Sequence, residues 1–226
     1  DPQPALSTAQ GEFVDAAASN CNDFPGSPPS PEWWAISWMA QIDNNLEIIY
    51  RNWCDQDVRV TNQSSADLDP SFDPLGTRIA FSTNRDGNYE IYTVKPDGSD
   101  LQRITNNALN DRTPDWSSKN QIAFSSGSST VDREIWTMNT DGSALAQLTN
   151  NDVHDVYPIW TPDGTQIFWV RISEDGENGE LWRMNSDGSN PTRLTSPLPY
   201  LADPRISPDG LGIIMDADST GDGPVD

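Results

Sequence analysis

Short apolar runs alternate with polar turns along most of the chain. Residues 79–82, 122–125 and 167–170 are β-branched or aromatic runs of four. Runs of this length and composition predict β-strands, whereas a helix would need a longer pattern with a period of 3.6 residues. An Asp-Gly-Ser turn follows each run, and it is a hairpin signal because Gly and Asp tolerate the positive φ of tight turns. The pattern predicts strands joined by hairpins.

Two further markers recur in phase with these turns. One is an apolar residue followed by Thr, and its copies end at Thr61, Thr105, Thr149 and Thr195, which are 44, 44 and 46 residues apart. The other is a Pro two residues before an aromatic residue or Ile, and its copies begin at Pro31, Pro70, Pro114, Pro158 and Pro204. Two markers with one period indicate an internal structural repeat.

Each repeat holds four short strands, beginning with one at the Pro-x-aromatic marker. Four-stranded units of about 40–45 residues are the blades of a β-propeller, whose radial arrangement leaves almost no sheet edge open. The sequence therefore predicts an all-β fold: a β-propeller of four-stranded blades, about five in number, with the first shortened and the last incomplete.

The repeat also resembles the WD40-like PD40 repeat of TolB-type propellers. The shared elements are Trp-Ser/Thr-Pro-Asp-Gly, an Ile-Ala-Phe strand, Glu-Ile-Tyr/Trp, Asp-Gly-Ser and Leu-Thr, and they cover about residues 66–215. Residues 160–164 and 207–210 match the first element well. The resemblance implies the propeller fold but not one function, because the family includes a periplasmic envelope-complex component, propeller domains of prolyl-type peptidases and some polysaccharide lyases.

The two ends of the chain depart from the repeat. Residues 1–30 are rich in Pro, Ala and Ser and are predicted to form an N-terminal arm or linker, and residues 31–226 to form the propeller. The last repeat has the pattern of its first two strands only, which would leave an open edge. Three ways to fill that edge stay open: residues 11–14 of the same chain, the arm of a neighbouring subunit, or further chain in a longer propeller.

Charge and hydropathy narrow the classes of partner. The chain has 13 Lys and Arg against 35 Asp and Glu, a net charge of −22. Such a surface repels phosphate backbones and anionic lipid, so we expect no nucleic acid partner. No apolar run approaches the roughly 18 residues that cross a bilayer, so we expect no membrane insertion. We therefore expect the partner to be a protein, a glycan or a further copy of the chain.

The two cysteines, Cys21 and Cys54, have a spacing that fits no metal knuckle or CxxC redox motif. A structural disulfide is favoured over two free thiols. It would require an oxidising compartment, so we expect a secreted, cell-surface or periplasmic protein. Asn62 begins an Asn-Gln-Ser sequon, which is a glycosylation site only where the source glycosylates.

Catalytic constellations are hard to assemble from this sequence. His154 is the single histidine, so no histidine-based zinc site can form, and no Gly-x-Ser-x-Gly elbow accompanies it for a Ser-His-Asp triad. Among 35 acidic residues, no carboxylate pair of the glycoside hydrolase type stands out. We therefore predict no catalytic residues in this chain.

Three acidic residues are the first candidate binding site. Asp67, Asp111 and Asp155 each lie three residues before the Pro of their repeat, on the connection that enters the innermost strand. Successive blades would place them around the mouth of the central channel, with His154 at its rim. They could bind Ca²⁺ or a basic partner, since hard cations prefer oxygen ligands. The alternative is that each Asp accepts backbone N–H bonds in its own turn.

A second acidic group lies near the C-terminal end. Asp216, Asp218 and Asp222 have the spacing of part of a calcium loop, although the Glu that closes an EF-hand is absent. An ordinary acidic hairpin loop is the other interpretation. Ca²⁺ is thus the one cofactor for which the sequence offers candidate ligands.

Tryptophans are concentrated in the first repeat beyond what the repeat requires. They are Trp33, Trp34, Trp38 and Trp53. They could cap the core of a terminal blade or form an exposed aromatic platform for a sugar or a protein partner.

These features favour a non-catalytic binding module or scaffold, with its partner on a propeller face or at the channel mouth. One alternative is a structural subunit that assembles into an oligomer or extracellular filament through its N-terminal arm and open last blade. Another is the propeller portion of a larger peptidase or polysaccharide lyase.

Overall fold

The structure, a computed structural model, describes residues 36–51, 56–128, 132–173 and 176–216. Within these ranges the chain forms 18 strands in five antiparallel sheets. The first sheet contains β1 (Ile36–Ile42), β2 (Asn45–Arg51) and β3 (Asp57–Arg59). The second contains β4 (Asp67–Phe72), β5 (Ile79–Thr83), β6 (Glu90–Val94) and β7 (Gln102–Arg103).

The remaining sheets continue the same pattern. The third contains β8 (Asn110–Trp116), β9 (Gln121–Gly127), β10 (Glu134–Asn139) and β11 (Ala146–Gln147). The fourth contains β12 (His154–Trp160), β13 (Gln166–Ile172), β14 (Asn178–Asn185), β15 (Thr192–Arg193) and the short β16 (Leu198–Pro199), which pairs with β14. The fifth contains β17 (Ala202–Ile206) and β18 (Ile213–Asp216).

The sheets follow one another as the blades of a propeller. The first strands of sheets two to five, β4, β8, β12 and β17, contain the Pro of the repeat and pack side by side in chain order, and β1 packs against β4. The strands β4, β8, β12 and β17 are therefore the innermost strands of their blades. The predicted all-β propeller is confirmed. Within the described ranges the first sheet has three strands and the last has two.

The hydrophobic core lies between neighbouring sheets. Ile79 and Phe81 of β5 pack against Ile48 of the first sheet, whereas Ala80 of the same strand packs against Phe124 of the third. Alternate residues of one strand therefore face different neighbours. Equivalent clusters join the third sheet to the fourth and the fourth to the fifth. Both faces of the middle blades are buried, which explains the apolar runs 79–81 in β5 and 122–124 in β9.

The Asp-Gly-Ser turns fit against the preceding blade. Gly98 has a φ of +79°, and a Cβ there would lie 2.9 Å from the carbonyl oxygen of Val60 in the first sheet. Gly142 repeats this arrangement against Ile104, with a φ of +82° and a distance of 2.8 Å. Only Gly meets both demands without strain. The turn and the apolar-Thr marker recur in phase because they contact each other across the interface between blades.

The Glu and Thr of the repeat form a hydrogen-bonded latch in the first and second sheets. In the second sheet, Thr105 donates its hydroxyl to Glu90 (2.6 Å) and accepts the backbone N–H of Ile91 (2.8 Å). Arg103 pairs with the same carboxylate at 2.9 Å. Thr61 and Glu47 make the same contacts in the first sheet. In both sheets these polar residues join the strand that contains the Glu to the strand that follows it, so their role is structural.

Several predicted features lie outside the described residues. They are the arm of residues 1–30, Cys21, Cys54, Trp33, Trp34, Trp53, Asp218 and Asp222. Their predicted roles stay predictions. The described part of the chain contains no helix that could span a membrane.

Candidate functional site

The three acidic residues of the predicted channel ring lie within innermost strands. Asp67 is the first residue of β4, and Asp111 and Asp155 are the second residues of β8 and β12, so the prediction that they lie on the connections before the strands is wrong. All three are fully buried. The strands begin earlier than expected because these residues pair across the sheet with Thr83, Ser126 and Arg171.

Each of these carboxylates is engaged by side chains of its own blade. Asp67 pairs with Arg85 at 3.1 Å, and Arg171 holds Asp155 through two contacts of 2.8 Å. The third blade offers Asp111 no arginine; Ser126 and Asn107 donate to its oxygens instead. Burial without a cation raises the pKa of Asp111 to about 6. These contacts hold the three carboxylates within their own blades, although Oδ2 of Asp67 has no hydrogen-bond partner among the described residues.

His154 begins β12 and is also used structurally. Its Nδ1 accepts the backbone N–H of Arg133 at 3.3 Å, which ties the fourth blade to the third. Burial, together with the positive charge of Arg133, lowers the pKa of the imidazole to about 4. The side chain is therefore neutral at pH 7.

The other described candidates remain apart from one another. Trp38 is partly buried on β1, with the guanidinium of Arg51 5.8 Å from its ring. Asp216 is exposed at the end of β18, and Asn62 is exposed after β3. Among the residues that the structure describes, no three His, Cys, Asp or Glu side chains gather closely enough to hold a metal ion. The Ca²⁺ sites therefore stay predictions.

A β-bulge interrupts each of the four innermost strands. The residue before the Pro has a positive φ in every case, and these residues are Asp69 (55°), Thr113 (52°), Tyr157 (52°) and Asp203 (43°). The strand register shifts at each of these positions. A non-Gly residue in the left-handed region costs about 1 kcal/mol. Bulges re-aim side chains and are frequent beside functional sites.

The four bulges converge on one pocket, which we call the axial pocket. All four bulge residues and the Pro of β4, β8 and β12 line it. The other lining residues are Ser37 and Met39 of β1, Ser71 and Phe72 of β4, Asp115 of β8 and Arg205 of β17. Strands of all five sheets therefore contribute to one cavity, which is lined chiefly by the neighbouring strands β4, β8 and β12.

Hydrogen bonds between blades fix the base of the axial pocket. Asp115 of β8 accepts the hydroxyl of Ser71 at 3.2 Å and the backbone N–H of Trp160 at 2.7 Å. Ser71 also accepts the backbone N–H of Trp116 at 3.2 Å. Three innermost strands are thus joined by two buried side chains, so the pocket has a preformed shape.

The pocket carries charges of both signs. Asp69 accepts bonds from Ser82 (2.7 Å) and from Arg112 of the next blade (2.9 Å). The pKa of Asp203 is raised by burial, and the carboxylate of Asp69 raises it further. The pKa of Tyr157 is raised by burial and then by Asp203 and Asp69. The phenol is therefore protonated at neutral pH and can donate a hydrogen bond.

Sequence reasoning missed these bulge residues. The sequence analysis selected the residue three positions before each Pro, whereas the residues that line the axial pocket are those immediately before the Pro. One signal was present in the sequence: the position before the Pro holds Asp, Thr, Tyr and Asp, while its neighbour is always Pro. A constant backbone with a varied side chain is the pattern of a site built on a rigid scaffold.

Comparison with known proteins identifies the fold. No protein-family model matches the sequence, and no curated protein sequence is similar to it. A protein of Agrobacterium tumefaciens designated TolB is similar in structure, with a TM-score of 0.67 and 24% identity over 79% of this chain and 67% of that one. TolB of Acinetobacter baumannii has a TM-score of 0.59 and 20% identity over 72% of this chain and 40% of that one.

An enzyme shares the fold at lower identity. A puromycin-hydrolyzing peptidase of Mycobacterium tuberculosis has a TM-score of 0.54 and 13% identity, and the match covers 76% of this chain and 28% of the peptidase. These likenesses confirm the predicted TolB-like propeller. They establish the fold alone, because identities this low do not transfer a function.

Proposed function

We propose that this chain is a non-catalytic binding module and that its partner is held at the axial pocket. The observation that carries the proposal is the convergence of Asp69, Thr113, Tyr157 and Asp203 on one cavity. Each has the same strained backbone, yet the side chains differ. The repeated positive φ is a feature of the fold. The differing side chains, in contrast, give the pocket its own chemical character.

The environment of His154 supports a non-catalytic function for this chain. A general base works best when its pKa lies near the operating pH. The imidazole of His154 is instead neutral and committed to a backbone N–H, and its pKa of about 4 suits a structural contact. Asp67 and Asp155 are likewise committed to arginines.

The chemistry of the axial pocket favours a protein or a glycan as the partner. Tyr157 offers a ring and a hydroxyl, Thr113 offers a second hydroxyl, and Asp203 offers a carboxylate. Aromatic and hydroxyl groups are common in recognition surfaces of both kinds. A net charge of −22 disfavours polyanions. We propose a secreted, cell-surface or periplasmic location, which the TolB-like fold and the predicted disulfide support.

Selection from a displayed random peptide library tests the proposal. Wild-type protein should enrich peptides that no longer bind when Tyr157→Asn removes the ring, since Asn tolerates the positive φ. Tyr200→Asn is the matched control: Tyr200 also has a positive φ (51°), is 40% exposed and lies outside the axial pocket. Peptides whose binding survives Tyr157→Asn but not Tyr200→Asn would overturn the proposal.

The last sheet favours self-assembly as a second candidate function. Within the described ranges β18 pairs with β17 alone, so one edge of β18 has no strand beside it. Ile214 on this strand is 80% exposed, and the preceding Leu211 is 88% exposed. An apolar edge of this kind pairs readily with a further strand.

Size-exclusion chromatography tests self-assembly. Concentration-dependent oligomers that vanish on deletion of residues 1–20 support self-assembly, and a monomer at all concentrations refutes it.

A further inference from the structure

A buried hydroxyl on the wall of the axial pocket has no hydrogen-bond partner. Ser37 of β1 lines the pocket and is 7% exposed. Met39 lies two residues further along the same strand and also lines the pocket, and side chains two residues apart in a strand point to the same face. The hydroxyl of Ser37 therefore faces the cavity. Within the part of the chain that the structure describes, its side chain makes no hydrogen bond.

Two carboxylates of the same wall also have oxygens that receive no hydrogen bond. Asp69 accepts all of its hydrogen bonds, including the one from Arg112, at Oδ2, so Oδ1 is unengaged among the described residues. Asp203 has Arg205 beside it, but the 3.9 Å between Oδ1 and Nη2 is too long for a hydrogen bond. Burial raises the pKa of Asp203, and the charge of Arg205 offsets only part of that rise.

The unengaged groups of the pocket call for a ligand that brings hydrogen-bond donors. Ionised carboxylates only accept hydrogen bonds, and a hydroxyl can accept as well as donate. A partly buried acceptor without a donor costs free energy. The lining residues carry three carboxylates against one guanidinium, on a chain whose net charge is −22. A positively charged donor is therefore favoured over a neutral one, and a ligand carboxylate is disfavoured.

The size of the cavity limits the donor group that fits into it. Its volume is about 50 Å³, whereas a cavity that holds a benzene ring has a volume of about 150 Å³. A sugar ring or an aromatic side chain is therefore too large. A guanidinium is a broad planar fork, whereas an ammonium group is compact and has three donors. Met39 and Phe72 of the same wall offer apolar surface to the methylene groups that carry an ammonium.

We propose that the axial pocket receives the side-chain ammonium group of a lysine from a protein partner. Its three N–H donors match three acceptors of the wall, which are the hydroxyl of Ser37, Oδ1 of Asp69 and the carboxylate of Asp203. Its methylene groups pack on Met39 and Phe72. The inference rests on the proposed function and narrows the partner to a protein, since a neutral glycan carries no ammonium group.

NMR of the methionine methyl groups tests the inference on the full chain. Met39 lines the axial pocket, whereas Met138 and Met184 lie in the core between blades, are each 1% exposed and serve as internal references. Comparison with the spectrum of Met39→Leu assigns the Met39 signal. Tetramethylammonium chloride keeps the ionic strength constant during each titration, because it carries the same charge without an N–H donor.

Three lysine derivatives are the probes. Nα-acetyl-lysine amide has a free side-chain amine, its isomer Nε-acetyl-lysine amide has a free α-amine, and the doubly acetylated compound has neither. The first probe should shift the Met39 signal at the lowest concentration, because its ammonium stands on a slender chain that enters the cavity. The isomer should bind more weakly, since backbone atoms flank its ammonium, and the doubly acetylated compound should leave the signal unchanged.

Ser37→Ala should weaken binding of the first probe about tenfold, as expected for the loss of a hydrogen bond to a charged group. Ser65→Ala is the matched control. The hydroxyl of Ser65 is also buried without a partner in the described ranges, but it lies outside the axial pocket, so its loss should leave the titration unchanged. Asp203→Asn should weaken binding about tenfold or more, since Asn tolerates the positive φ but removes the charge. The reference methyl signals report whether each variant is folded.

Three results would overturn the inference. They are an unchanged Met39 signal in the wild type, equal affinity of wild type and Ser37→Ala for the first probe, and binding of either other probe as tight as that of the first. The peptide selection distinguishes this failure from failure of the proposed function. Enriched peptides that depend on Tyr157 but bind equally well after acetylation of their lysines would leave the axial pocket as the binding site and remove the lysine contact.

Discussion

Arg171 clamps the fully buried Asp155 through two parallel contacts, Nε to Oδ1 and Nη2 to Oδ2, each 2.8 Å long. The same guanidinium lies 4.4 Å from the ring centroid of Trp182. Arg85 repeats the arrangement in the second blade, where it pairs with Asp67 and stacks on Tyr92 at 4.8 Å. An ion pair covered by an aromatic ring thus fixes the start of two innermost strands.

Replacing Arg171 by Met should destabilise the protein by about 3 kcal/mol at pH 7. Met keeps much of the packing on Trp182 but leaves the carboxylate of Asp155 buried without its cation. Urea unfolding at pH 7 measures the loss. Arg183→Met, in the next strand of the same sheet, is the control and should cost less than about 0.5 kcal/mol. Equal effects of the two substitutions would show that the ion pair is unimportant.

The third blade lacks this ion pair, because Ser126 stands opposite Asp111 where Arg171 stands opposite Asp155. The pKa of Asp111 is raised from 3.8 to about 6, so its contribution to stability is complete below pH 3.8 and is lost as the pH rises through about 6. Ser126→Arg should supply the missing cation and stack on Trp136. We expect a lower pKa for Asp111 and greater stability at pH 7.

Urea unfolding at pH 4 and pH 7 checks the Ser126→Arg prediction. The variant should gain relative to wild type at pH 7 and gain less at pH 4, where Asp111 is protonated. Ser128→Arg, on the exposed loop after β9, is the control for an added positive charge. A gain of the same size at both pH values would contradict the role assigned to Asp111.

His154 should titrate far below the ordinary range. Because its pKa is lowered from 6.5 to about 4, its contribution to stability is present above pH 6.5 and is lost as the pH falls through about 4. It is the single histidine, so its ring signals can be followed by NMR without assignment. His154→Gln should flatten the loss of stability between pH 6.5 and pH 4. A measured pKa near 6.5 would refute the buried, neutral imidazole.

The latch carboxylates should differ in their sensitivity to substitution. Glu90 pairs with Arg103 at 2.9 Å, whereas Gln147 takes the place of that arginine beside Glu134, and burial raises the pKa of Glu134. Glu90→Gln should therefore cost about 2 kcal/mol or more, and Glu134→Gln clearly less. Parallel thermal and urea unfolding of the two variants measures the difference. The reverse order would show that the arginine contributes little to the latch.

The fold could be predicted because the repeated sequence markers are residues that local geometry requires. Gly98 must combine a positive φ with close approach to Val60, and Glu90 must reach Thr105. The first requirement recurs at Gly142 and Gly188 and the second at Glu47 with Thr61, so both are visible as a period in the sequence. The same period predicted about five blades, a shortened first repeat and an incomplete last one.

The position of the site could not be predicted from periodicity alone. Every residue of the repeat has equivalents in the other blades around the axis. Spacing alone therefore could not show whether Asp67 or Asp69 lines the pocket. The bulge between Leu68 and Ser71 decides between them, because it breaks the alternation of side chains along β4 and leaves Asp67 buried within the blade.

The central claim is that the partner occupies the axial pocket. A crystal structure of the wild-type protein with the tightest peptide from the library tests it most directly. We expect the peptide to contact Tyr157 and Asp203, which both line the pocket. A peptide bound along the edge of β18 or on the outer strands, with Tyr157 untouched, would contradict the account.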